Sequence, residues 1–93
     1  MPLTRTTRLA LIGFGAIGRA ITAALVQSPP PGHQLVALLV RPHQLADARA
    51  AVPTGVLVTA DAAALLSTAP HTVIEAAGHG AVVAHGDAVL RQG

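Results

Sequence analysis

The chain reads as a doubly wound parallel α/β sheet of about four strands in the order 3-2-1-4, and three features carry that expectation. Short apolar runs alternate with segments of helical period, the pattern of crossover connections rather than hairpins. The run Leu35 to Val40 is continuously apolar, as in a strand covered on both faces. A glycine-rich hexapeptide at 13–18 sits between the first apolar run and the first helical segment, where such sheets hold phosphates.

The elements follow in order. Arg8 to Ile12 forms a compact strand. From Ala16 to Gln27, Ile17, Ile21 and Leu25 recur at i, i+4 and i+8 with Ala20 and Ala24 beside them, predicting an amphipathic helix with that stripe buried. Ser28-Pro29-Pro30-Pro31-Gly32 ends it, because successive prolines lack the N–H a helix needs. Leu35 to Val40 is the second strand, Arg41-Pro42-His43 a loop, and Gln44 to Ala51 a short helix. Val56 to Val58 is a third strand, and Asp61 caps a helix through Leu66. Thr72 to Glu75 is the fourth strand, and a last helix from Gly80 carries Val82, Val83, Gly86, Val89 and Leu90 on one face. Right-handed crossovers then set the strand order. The chain stops at Gly93, before a fifth strand. The fourth strand is therefore expected to end as an unpaired apolar edge, covered by a missing catalytic domain or by self-association into a homo-oligomer.

Composition narrows the function. A length of 93 residues allows one domain, taken as 1–93. With 52% hydrophobic and 11% charged residues the chain is not of the disordered class. Zero cysteines exclude a disulfide scaffold or thiolate metal site. Phe14 is the sole aromatic residue, and the six arginines are scattered over a net charge of +2. Base stacking and phosphate-backbone tracking are therefore not expected, and nucleic acid is no partner. Arg5 and Arg8 before Leu9 to Ile12 imitate a signal peptide, but Gly13, Gly15, Gly18 and Arg19 break the apolar stretch. No window approaches the ~20 apolar residues of a membrane span. The expectation is a soluble, cytoplasmic protein without a membrane partner.

Gly13-Phe14-Gly15-Ala16-Ile17-Gly18 matches G-x-G-x-x-G in a strand–turn–helix context. The three glycines then play separate parts. Gly13 makes the tight turn, Gly15 admits a pyrophosphate to the backbone, and Gly18 lets helix and strand approach. Amides near Ala16 and Ile17 face the anion along the helix dipole. This is the fingerprint of a Rossmann-type sheet binding NAD or NADP. No acid lies between Gly18 and Asp47 to hold a ribose 2′-OH, whereas Arg41 follows the second strand directly with His43 two positions on. A guanidinium there suits a 2′-phosphate, which favours NADP over NAD. Arg19, beside Gly18, reads either as a helper to the pyrophosphate or, preferred here, as a merely exposed helix residue. At the end of the fourth strand, Ala76, Ala77 and Gly78 are small enough to let a nicotinamide ribose pass, and His79 adjoins that end. Glu75 reads either as a solvated acid or as a strand-end residue that positions this loop. No His and acid grouping has metal-ligand spacing.

Leu11 to Gly18, together with Val73-Ile74-Glu75-Ala76-Ala77-Gly78-His79, Ala84-His85-Gly86, Val89-Leu90 and Gly93, resembles the amino-terminal cofactor domain of L-aspartate dehydrogenases, within the aspartate/homoserine dehydrogenase NAD-binding group. Ala76 stands where that family often has Cys. The resemblance implies NAD(P)-dependent interconversion of L-aspartate with iminoaspartate, or with oxaloacetate and ammonia. It also implies a second α/β domain bearing the substrate pocket and a catalytic His. No segment here matches that domain, so no catalytic residue is assigned. The alternatives are a non-catalytic NAD(P)-binding regulatory module, or the cofactor domain of a homoserine dehydrogenase or dihydrodipicolinate reductase-like enzyme.

Overall fold

A computed structural model of the chain describes residues 6–76 and 89–90. Strand β1 (Thr7–Ile12) leads into helix α1 (Ala16–Gln27) and strand β2 (His33–Leu39). A 3-10 turn (Pro42–Gln44) runs into helix α2 (Leu45–Ala51), followed by strand β3 (Leu57–Thr59), helix α3 (Ala62–Leu66) and strand β4 (Thr72–Glu75). A two-residue strand, β5 (Val89–Leu90), completes a parallel sheet in the order β3-β2-β1-β4-β5. The expected order 3-2-1-4 is present within it.

The last strand corrects two expectations. Val89 and Leu90 are not on a helix: they pair in parallel with Val73 and Ile74. The sheet therefore does not stop at four strands, and over those residues the chain itself covers the edge left for self-association. Two apolar residues fit a helix face and a strand equally, so periodicity cannot separate them. The unpaired N–H and C=O groups along β4 decide the matter.

Crossovers β1–α1–β2 and β2–α2–β3 run one way from β1, and β3–α3–β4 returns to its other side. The helices consequently occupy both faces. Leu11, Leu38, Val58 and Ala48 are buried on one face with Ile21 and Leu25 of α1 and Leu45 of α2. Ala10, Ala37 and Val73 pack on the other against Leu65 of α3. The β1–β2 register shifts between Leu9 and Ala10, which pair with Leu35 and Ala37. That bulge places the small pair Ala10–Ala37 under α3 and the large pair Leu11–Leu38 under α1 and α2.

The buried line of α1 differs from the expected stripe. Gly18 and Thr22 are its buried residues, Ile21, Leu25 and Val26 are partly buried, and Ile17 is 61% exposed. At about 100° per residue, a contact line through Gly18, Thr22 and Leu25 turns Ile17 away from the sheet. Gly18 is the cause: a Cβ on it would lie 2.2 Å from the Gly13 carbonyl oxygen, so the helix rests on the turn that leaves β1.

Local bonds fix the ends of the other elements. The Asp61 carboxylate accepts from the Ala63 N–H at 2.9 Å, as expected of a cap. Before β4, Ala69 has φ 54°. Its carbonyl accepts two bonds from the Arg8 guanidinium, at 2.6 and 3.1 Å. His71 Nδ1 accepts from the Arg8 N–H at 2.8 Å, which sets the start of β4 beside β1.

Candidate functional site

The strands β1, β2, β3 and β4 end at one edge of the sheet, where order reverses between β1 and β4. The chain leaving β1 turns at Gly13, whose φ of 113° is closed to ordinary side chains. Its N–H donates to the Leu39 carbonyl at 2.9 Å, and the Ala76 N–H donates to the Ile12 carbonyl at 2.8 Å. The turn is thereby tied to both neighbouring strands.

Helix α1 then opens unusually bare. Gly15 is its N-cap with no side-chain cap bond, and the first turn carries no acidic residue. The first helical carbonyl, that of Gly15, accepts from Arg19 at 2.8 Å, so the amides before Arg19 have no acceptor within the helix. A Cβ added at Gly15 would meet nothing within 4 Å. The two flanking glycines are required by the chain's own packing, whereas at Gly15 the protein leaves open space beside uncapped amides. Those amides and the positive end of the helix dipole attract an anion. Gly13 thus makes the tight turn and Gly18 the close approach of helix and turn, while the space at Gly15 lies beside amides suited to an anion.

A cleft of about 390 Å³ adjoins the loop, lined among others by Gly13, Gly15, Val40, Arg41, Gln44 and Ala60. The Val40 N–H donates to the Thr59 carbonyl at 2.9 Å, which carries β2 past its last strand residue into this wall. Arg41 is exposed at the cleft, and Pro42 and His43 are exposed after it. The segment expected as a plain loop is a 3-10 turn capped by Gln44, whose Oε1 accepts from the Arg41 N–H at 3.0 Å.

Phe14 is buried. The Arg19 guanidinium lies 4.3 Å from its ring centroid and 3.6 Å from the Asp47 carboxylate. Arg19 is exposed, as expected, and its guanidinium leans over Phe14 and toward α2. Ala16 and Ile17 are exposed in the first turn of α1, and Gly18 is buried beneath it. Ala76 is buried at the mouth of β4, and Glu75 is 4% exposed, so the solvated reading of that acid does not hold. Ala77, Gly78 and His79 lie outside the described residues.

Sequence reasoning missed Gln44 and Ala60. For Gln44 a signal existed: Pro and Gln at the first and third positions after Arg41 follow the logic of a capping box. Ala60 carries no signal, being placed only by β3. Among the described residues no group of three His, Asp or Glu could hold a metal ion, and no helix is long and apolar enough to cross a membrane.

No curated protein matches the chain. Residues 13–93 match the family model described as homoserine dehydrogenase, NAD binding domain.

Proposed function

This chain belongs to the family of homoserine dehydrogenase NAD-binding domains, and we propose that within it the chain serves an amino-acid dehydrogenase of the aspartate dehydrogenase type, with NADP preferred to NAD. The coarser statement stands by itself: this is a dinucleotide-binding dehydrogenase domain. The observation that carries the reading is the bare start of α1, where open space at Gly15 meets amides that no side chain caps.

In this assignment Gly13, Gly15 and Gly18 shape the loop, and the amides of Ala16 and Ile17 hold the pyrophosphate. Arg41 takes the 2′-phosphate. Ala76, with Ala77, Gly78 and His79, borders the nicotinamide end. When bound, NAD(P) supplies hydride transfer, and the chain's own residues bind and orient it. The aspartate reading is supported by Glu75-Ala76-Ala77-Gly78-His79; the substrate pocket and catalytic groups belong to a further domain. A homoserine dehydrogenase is the second reading, favoured by the description of the matching family.

Calorimetric titration of the 93-residue chain with NADPH and NADH tests the loop. Gly15→Val should retain the fold, because its Cβ has room, yet weaken binding of both cofactors by at least tenfold. Unchanged affinity would remove the loop from the site.

A further inference from the structure

The geometry points to Gln44 as a positioning residue that sets the dinucleotide cleft from both sides, joining the pyrophosphate loop to the Arg41 segment; this rests on the dinucleotide reading above. Its side chain makes two bonds of different purpose. Oε1 accepts from the Arg41 N–H at 3.0 Å, and Nε2 donates to the Phe14 carbonyl at 3.1 Å, thirty positions away in sequence. Capping the 3-10 turn requires only the first. The second reaches across the cleft into the glycine loop.

That second bond controls an orientation. In a trans peptide the carbonyl of one residue and the N–H of the next point in opposite directions. Holding the Phe14 carbonyl toward Gln44 therefore turns the Gly15 N–H away from Gln44. A flip of this peptide would exchange the donor for an oxygen that repels phosphate, and glycine at position 15 makes such a flip cheap. The ring of Phe14 is buried under the Arg19 guanidinium, so the residue is gripped at ring and carbonyl together. The first bond does the corresponding work for Arg41, fixing the backbone from which an exposed guanidinium must reach its phosphate.

The test uses Gln44→Met, which keeps the length and removes both bonds, in the 93-residue chain. Gln44→Met should therefore weaken NADPH by roughly tenfold and NADH by roughly threefold. In an Arg41→Ala background the two cofactors should lose equally, since the extra NADPH factor acts through Arg41. Gln44→Glu keeps an acceptor for Arg41 but has no proton for Phe14. It should bind NADH as weakly as Gln44→Met at pH 8 and recover below about pH 5, as the carboxyl regains a proton. Without any cofactor, the Arg41 amide should exchange its hydrogen at least tenfold faster in Gln44→Met. Affinities within twofold of wild type, an NADPH excess that survives Arg41→Ala, no acid recovery in Gln44→Glu, or unchanged Arg41 amide exchange would each overturn the proposal. A wild-type chain that binds neither cofactor would instead sink the dinucleotide reading, and the exchange measurement would still decide whether the clamp exists.

Discussion

Replacing Gly18 by Ala puts the contact between α1 and β1 under direct test. The new Cβ would lie 2.2 Å from the Gly13 carbonyl oxygen and 2.7 Å from its carbon. Both are backbone atoms of a turn tied to Leu39, so neither can swing aside. Reaching an ordinary contact requires α1 to withdraw by about 1 Å, given normal carbon separations of ~3.5–4 Å. Overpacking of this kind costs ~1–3 kcal/mol, with rigid backbone on one side favouring the upper end. Alanine returns about 1 kcal/mol through its better helix propensity. The net loss should be about 2 kcal/mol, a fall in Tm of roughly 8–16 °C for a chain this size. Dinucleotide affinity should fall at least tenfold as the first-turn amides move with the helix. Thermal unfolding followed by circular dichroism, with calorimetric titration, measures both. Gly55→Ala is the control, since its Cβ would meet nothing within 4 Å, and its stability should hold or rise by about 0.5 kcal/mol. A Gly18→Ala chain as stable as wild type would refute the close approach and the site geometry built on it.

Two further outcomes are expected. Arg41→Ala should weaken NADPH by about ten- to a hundredfold, the worth of a charged hydrogen bond of ~1.5–3 kcal/mol, and NADH by less than threefold; equal losses by calorimetry would defeat the 2′-phosphate assignment. The buried Thr22 hydroxyl has no hydrogen-bond partner among the described residues, so Thr22→Val, of nearly equal shape, should raise stability by about 1 kcal/mol in urea unfolding, whereas a loss of that size would show that the hydroxyl is bonded.

The parts readable from sequence are those decided locally. Thr72–Glu75 and Ala16–Gln27 fall where expected because runs of one period are bounded by glycine or proline. The glycine spacing likewise placed the loop between β1 and α1. What escaped depended on packing between distant segments. Ile17 has the right spacing for a buried stripe, but the Gly18–Gly13 contact sets the helix's rotation and turns it outward. Val89 and Leu90 become a strand only because β4 offers an edge to pair. Burial of Glu75 follows from its place at the end of a central strand, which no local pattern announces. The second bond of Gln44 spans thirty positions, beyond any motif.

The same packing between distant segments bears on function. A helix start without a capping side chain, a residue at φ 113° and an unfilled space at Gly15 are each locally unfavourable. A loop with only those features would wander among conformations, and its ordering would weigh against ligand affinity. Here the cost is met by ties reaching from elsewhere: Leu39 to Gly13, Ile12 to Ala76, Arg19 over Phe14, and Gln44 to the Phe14 carbonyl. They come from both adjoining strands, from α1 and from the turn before α2, so the loop takes its shape as the sheet assembles. The shape of the loop is thus a product of folding, and on the proposed function it needs no ligand to form it. Changes at these remote ties should therefore alter dinucleotide affinity without touching a single contact to the cofactor.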